Sequence, residues 1–405
     1  MTQALNLANL ANSINSSGQL AGSAVNGAVA SATNATNATN LTGGTCTIGT
    51  TQLGAGNASI MKNRIINGAM VIDQRNAGAS ITPTTYQYTV DRWVTDITQS
   101  SKFTVQQNAG SVTPPAGFTN YLGITSTSAY TQGAGDFFNI AQIIEGYNTA
   151  DLNWGSANAK TVTLSFWVRS SLTGTFGGTI RSSNAGYCYP FSYSIPVANT
   201  WTQISLTIIG PTTGAFNTLN NNGPYIAFCL GIGTTYAGAA GSWQSSNYLG
   251  ATGCVNVLGT NGATFYITGV QLEVGSSATG FEYRQYQQEL ALCQRYFETS
   301  YAAGTAIGTA TQTGIIWTSQ MQATTTSYIG MSYTWKVQKR TAPTVTAYDK
   351  AGTSGTVTRW TLGAGETDGS NYSLSGVSDS TWQFFSSGSS NSAGLKLHFA
   401  ATAEL

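Results

Sequence analysis

The chain has 405 residues, 16 Lys and Arg against 15 Asp and Glu, a formal net charge of +1 and only 8% charged residues, where globular proteins carry roughly 25%. No basic run or basic half exists to neutralise phosphates, which argues against nucleic acid as a partner, and 41% hydrophobic with 11% aromatic residues argue against disorder for most of the chain. Thr, Ser, Asn and Gly, the last 47 times, replace charge, a composition that suits a durable extracellular-type β surface better than a cytosolic metabolic enzyme.

The opening MTQALNLANL has no basic n-region and no apolar h-region, and no apolar run approaches the ~18 residues of a membrane span. The expectation is a chain without a Sec-type signal or membrane insertion. Leu7, Leu10 and Ile14 stand at i, i+3 and i+7, with Thr2 as N-cap and Ser16-Ser17-Gly18 as a stop, which predicts a short helix of about three turns. So short a helix is marginal alone. It is either a frayed terminus or a small bundle or plug that anchors and oligomerises the chain. The repeat SATNATNATNLTGG buries nothing and reads as a polar linker, so residues 1–60 form an anchoring segment. Its three N-x-T sequons have no chemistry without a secretory signal. The five cysteines, Cys46, Cys188, Cys229, Cys254 and Cys293, are odd in number and widely spaced, and read as free, mostly buried thiols.

From Met61 the texture is all-β. Strands are expected over residues 64–66, 91–97, 161–169, 201–209, 225–230 and 264–273, with Pro114-Pro115, residues 174–178 and residues 231–241 as end loops. Residues 61–282 make one jelly-roll-like β-sandwich, with Trp167 and Trp201 in its core. Thr279-Gly-Phe-Glu282 reads as a capping box, and Tyr286, Leu290, Cys293 and Phe297 follow at helical spacing, so an amphipathic helix over 283–300 closes the sandwich. Its apolar stripe lies on its own sandwich or faces symmetry mates around an axis. Residues 301–405 form a small β domain, with strands at 314–320, 327–337, 343–348, 356–361, 380–385 and 395–399.

His398 is the only histidine, which leaves no two-His metal site and almost no room for a His-based triad. Asp349, Glu366, Asp368 and Asp379 are the sole acidic group that could serve a glycosidase, and turn positions explain them more simply. Glycine-rich stretches such as Leu362-Gly-Ala-Gly-Glu lack a P-loop lysine. No catalytic residue, metal or cofactor is assigned. Tyr236, Trp243 and Tyr248 lie in the loop TTYAGAAGSWQSSNYLG, and Tyr187 and Tyr189 in NAGYCYPFSY. Rings among Asn, Gln and Ser either stack on sugars or fold back onto the sandwich.

The strings KNRIINGAMVIDQRN, Asp91-Arg92-Trp93, LSFWVRSS, GVQLEVGSSATGFEYRQYQQELALCQRYF, KRTAPTV and the terminal Ala403-Glu404-Leu405 together resemble a family of tailed-bacteriophage virion proteins, the tail fibres and carbohydrate-binding-module-like structural proteins. The likeness spans residues 61–405, and ALNLANLANSINSSGQL is similar to the virion-anchoring start of phage fibres. The resemblance implies a non-enzymatic, homotrimeric fibre in the virion. Its N-terminal segment would join baseplate, tail, neck or capsid proteins and its sandwich would hold a host-surface glycan. The long repetitive shaft of a full-length fibre is missing, so the expectation is a short tail fibre. The alternatives are a head- or neck-attached decoration protein and a polysaccharide depolymerase spike.

Overall fold

Strict alternation along Val162–Ser170 sends Val162, Leu164, Phe166 and Val168 into a core and their neighbours to the opposite face. This is the rule for most of the chain. The computed structural model describes residues 61–319, 328–361, 363–370, 372–387 and 392–405. The expected helix at Leu7, Leu10 and Ile14, the linker and Cys46 lie outside them.

The sandwich contains β1 (Gln87–Tyr88), β2 (Val94–Ile97), β3 (Phe103–Gln107), β4 (Leu122–Ser126), β5 (Phe137–Glu145), β6 (Val162–Ser170), β7 (Gly174–Arg181), β8 (Cys188–Ile195), β9 (Thr202–Ile208), β10 (Asn222–Ile232), the short pair β11 (Ala237–Gly238) and β12 (Gly250–Ala251), and β13 (Thr264–Val274). One sheet has the order β1-β2-β5-β10-β7-β8 and the other β3-β4-β13-β6-β9. The chain crosses between sheets at most connections, the winding of a jelly roll. Trp93, Phe138, Phe166, Phe176, Phe228 and Phe265 fill the space between the sheets, and Phe166 meets Phe228 edge-on at 4.9 Å.

Several expectations change. Residues 174–178 are no loop but the start of β7, where glycine is required by packing. A Cβ on Gly178 would stand 2.0 Å from the Ala227 carbonyl, and one on Gly177 would stand 2.5 Å from Cys254 Sγ. Residues 64–66 are not a strand: Arg64 makes one backbone bond to Leu272, and Asn63 supplies the rest through its side chain. Trp167 and Trp201 are half-buried on the outer face of the five-stranded sheet, not in the core, and Trp201 meets Tyr121 at 5.6 Å.

The helix is shorter than its stripe. Helix α1 spans Tyr286–Gln294, and its N-cap, Gln285, makes no side-chain cap. Thr279 and Glu282 are no capping box because both are committed to tertiary partners: Thr279 bonds Glu273, and Glu282 accepts from the backbone of Lys62 and Asn63. Tyr286 is 50% exposed, while Glu289, Cys293 and Gln294 form the buried side. Phe297 belongs to β14 (Phe297–Thr299).

The C-terminal part follows with β15 (Ile316–Ser319), β16 (Tyr328–Thr334), β17 (Thr344–Tyr348), β18 (Val357–Thr361), β19 (Gly365–Gly369), β20 (Ser373–Ser375), β21 (Thr381–Ser387) and β22 (Ser392–Thr402). β22 is the spine: β14 and β15 pair along one edge, β17 and β18 along the other. A three-stranded sheet, β16-β21-β20, packs on it around Trp335, Trp382 and Phe399.

Several of the scarce charges meet where this part joins the sandwich. Arg92, 1% exposed, pairs with Glu404, which also holds Arg75 at 2.7 Å. Arg295 grips Glu145 through two bonds of 2.8 and 2.6 Å, and Tyr296 donates to the same carboxylate. Burial pushes Glu145 up, but the bonds from Arg295 and Tyr296 outweigh it and hold the carboxyl below its ordinary value. Lys339 and Glu298 form a fully buried pair at 2.5 Å.

Candidate functional site

β8 and β9 are the edge strands on the same side of the two sheets. Edge strands tolerate proline, and Pro190 sits in β8. The loop after β11 covers part of that edge, since Cys188 and Gln244 exchange both backbone bonds and Gly241 donates to Pro190. This docking turns Trp243 inward over the rim of the sandwich. Its indole donates to the Ile209 carbonyl at 2.7 Å, and the ring packs against the sandwich core.

Four rings surround Trp243. Tyr187 stacks on it at 5.6 Å with 5° between planes, Tyr189 is tilted at 5.4 Å, and Trp154 and Phe216 meet it edge-on at 5.6 and 5.8 Å. Two open pockets flank the cluster. One of about 210 Å³ is lined by Tyr187, Asn184, Thr213 and Ser245. The other, of about 290 Å³, runs over Tyr189, Ser192, Ser205 and Thr207 beneath Ala240 and Gly241. Thr213 donates to the Tyr187 hydroxyl at 3.1 Å, and burial pushes the Tyr189 phenol up, which keeps it a neutral donor. Neither pocket is lined by a carboxylate, histidine or cysteine. The arrangement offers ring surface and neutral hydrogen bonds, the means of holding an uncharged polar ligand, and no acid–base pair.

The five aromatic candidates therefore separate. Tyr187, Tyr189 and Trp243 come together. Tyr236 goes to the outer face of the six-stranded sheet, edge-on to Phe137 at 5.1 Å and packed with Leu249. Tyr248 lies over Gly238, where a Cβ would stand 2.3 Å from its ring. Sequence reasoning missed Trp154 and Phe216. Each is far along the chain from Trp243, and no spacing signals the meeting.

The carboxylate group also divides. Glu366 bridges Lys350 and Lys396 at 2.5 Å each, and these two bonds hold its pKa down to about 2, the opposite of a proton donor. Burial pushes Asp349 up, but Thr356, Thr353 and Ala351 donate to it and bring it below its ordinary value, as a turn-closing residue. Asp368 accepts from Thr358 at 2.5 Å, and Asp379 lies apart, bonded to Gln338. His398 is buried, stacked on Tyr301 at 4.0 Å between Ser300 and the Thr311 carbonyl, and burial lowers its pKa. Among the described residues Cys188, Cys229, Cys254 and Cys293 are free, no three His, Cys, Asp or Glu side chains are placed to hold a metal ion, and no helix is long and apolar enough to cross a membrane.

No protein-family model matches the chain, and no curated protein matches it. Among solved structures it is similar to the enzymatically active domain of tailspike protein 4 of bacteriophage CBA120, with 16% identity over 53% of this chain, 21% of that chain and a TM-score of 0.30. The chain thus spans about a fifth of that domain's length. A putative sugar binding protein from Bacteroides thetaiotaomicron is 12% identical over 52% of this chain and 99% of its own, with a TM-score of 0.30. The tandem CBM22 domain of Paenibacillus barcinonensis Xyn10C is 10% identical over 82% of this chain and 91% of its own, with a TM-score of 0.25.

Proposed function

We propose that this chain is a non-enzymatic attachment protein of a tailed-phage virion, of the short-tail-fibre type, which holds a neutral host-surface glycan at the β8–β9 edge. The observation that carries the reading is the Trp243 cluster: a half-buried indole among four rings, with an uncharged pocket on either side. Apolar ring faces stack on the C–H faces of sugars, and Asn, Ser and Thr side chains pair with hydroxyls without a net field. The virion setting rests on the sequence resemblance, as do a homotrimer and anchoring through residues 1–60.

Single neutral sites of this kind are weak, and three copies acting together raise apparent affinity by ~10²–10⁴ when their spacing fits. The test is adsorption of the intact protein to host cells across a salt series, with Trp243→Ala and Tyr187→Ala beside Tyr248→Ala as a control on another face. Adsorption should be insensitive to salt, fall in the first two variants and persist in the third. Full adsorption by Trp243→Ala, or its loss at high salt, would sink the reading. Sedimentation of the full chain tests the trimer, and a monomer at micromolar concentration would refute it.

A further inference from the structure

The sheet built on β22 turns one face to its own core and one face out. Leu395, Leu397, Phe399 and Ala401 point inward, so Gly394, Lys396 and His398 take the other face by the period of two. The segment between β14 and β15 covers the His398 end through Tyr301 and Thr311. At the Lys396 end Trp317 is exposed and Trp360 half-buried, although Thr358 is fully buried. There, directly paired residues place Trp317, Lys396, Thr358 and Asp368 in one row across β15, β22, β18 and β19, and Gly394, Trp360 and Glu366 in the next. Paired residues of antiparallel strands project to the same side.

Trp317 is 56% exposed. A Cβ on Gly394 would stand 2.8 Å from Trp317 Nε1 and 2.6 Å from the Thr318 carbonyl, so a glycine at this position lets the indole lie down over β22. Trp360 is the direct partner of Gly394 on the next strand, so the two indoles share this stretch of the face. Beside them, Lys396 on β22 reaches across to Glu366 on β19, which also holds Lys350, Lys396 Nζ stands 5.3 Å from the Trp317 ring, and Thr358 bonds Asp368. Two ammonium groups against two carboxylates leave no net field.

We propose that this face is a second saccharide site, which takes a neutral oligosaccharide stacked on Trp317 and Trp360. It stands whether or not the Trp243 edge binds a sugar. Two indoles present flat apolar surface, and the ions beside them offer hydroxyls charge-assisted hydrogen bonds. The cancelled charge gives an anionic polymer no advantage. A second copy of the chain fits this face less well, because interface centres are depleted in Lys, Glu and Asp. Covering the ion-paired set with protein would also strip its water without supplying hydroxyls in return.

The test uses the full chain and three probes, cellohexaose, maltohexaose and chitohexaose, titrated calorimetrically at low and high salt. Wild type should bind at least one probe, with an affinity unchanged by salt. Trp317→Ala and Trp360→Ala should each weaken that binding several-fold to about tenfold, the loss of one stacking contact. Trp317→Tyr, which keeps a flat ring, should restore part of it, and Trp243→Ala should leave this component in place. Circular dichroism of each variant confirms that the sheet is intact. The proposal is overturned if no probe binds, if both alanine variants bind as wild type does, or if binding is lost at high salt. It is also overturned if Trp317→Ala lowers the sedimentation coefficient of the assembly, which would make the face a contact between copies.

Discussion

Lys339→Met is the sharpest test of how the two parts are joined. The lysine and its partner Glu298 both have 0% side-chain exposure, and the ammonium also donates to the carbonyls of Gln294 and Val337. Methionine keeps the length of the stem to Cε and removes the ammonium with its donors. The Glu298 carboxylate would then be buried with the Tyr333 hydroxyl and the Lys336 amide as its remaining donors, and two carbonyls would lose theirs. Breaking one side of a buried pair costs about 3–5 kcal/mol, so that loss is expected in chemical denaturation followed by the fluorescence of Trp335, which lies 5.3 Å from Lys339 Nζ. Glu298→Gln is the complementary case. It keeps an acceptor for Tyr333 but strands the ammonium, whose pKa burial already lowers. A lysine depressed further in the folded state destabilises while it must stay charged, so this variant should gain stability as pH rises from neutral toward the ordinary lysine value of 10.5. A loss below about 1 kcal/mol in Lys339→Met, or a pH-independent loss in Glu298→Gln, would refute the reasoning.

Asp91 tests the same junction from the acid side. Burial pushes its pKa up to about 7 from an ordinary 3.8, so the folded chain keeps a proton that the unfolded chain releases. The resulting stability is full below the unfolded value and is lost as pH rises through 7; Asp91→Asn should flatten that part of a stability–pH curve. Gly178→Ala should lower the melting temperature markedly, because its methyl would press on the Ala227 carbonyl between paired strands and overpacking costs about 1–3 kcal/mol; an unchanged melt would contradict the packing. Reducing agent should leave the melting temperature unaltered, since the four described cysteines are free, and a drop of many degrees would show a disulfide framework.

Long alternating runs were legible. The strands Val162–Ser170, Thr202–Ile208 and Thr264–Val274 lie within a residue of the alternation that announces them, because one face of each meets the core and the pattern is local. What failed was decided at long range. Phe297 continues the helical spacing of Tyr286, Leu290 and Cys293, yet its backbone pairs with Thr402, and no window around residue 297 contains that partner. Glycine hid β7, since the sequence shows a flexible stretch where the fold needs a missing Cβ. The site was half legible for the same reason: Tyr187, Tyr189 and Trp243 stood out as rings in polar loops, whereas Tyr236 and Tyr248 stood out equally and serve another face. The strings that carry the family resemblance hold Arg75, Arg92, Arg295, Arg340 and Glu404, most of which meet at the junction. They mark how the chain closes on itself, and the sugar-binding candidates lie elsewhere.

The place of β22 governs when the molecule can finish folding. Arg75, Tyr88 and Arg92 reach partners 329, 317 and 312 residues later in the chain. At about 5–20 residues per second of synthesis, Arg92 waits roughly 15–60 s for its counter-ion. Throughout that interval a nascent sandwich displays a cation that belongs indoors, and β14, β15 and β17, once made, have no strand to pair with, while β18 has only β19. A polypeptide halted before residue 392 keeps those defects permanently, open to chaperones and proteases. The C-terminal sheet therefore cannot close, nor Arg92 be neutralised, until β22 and Glu404 have been made.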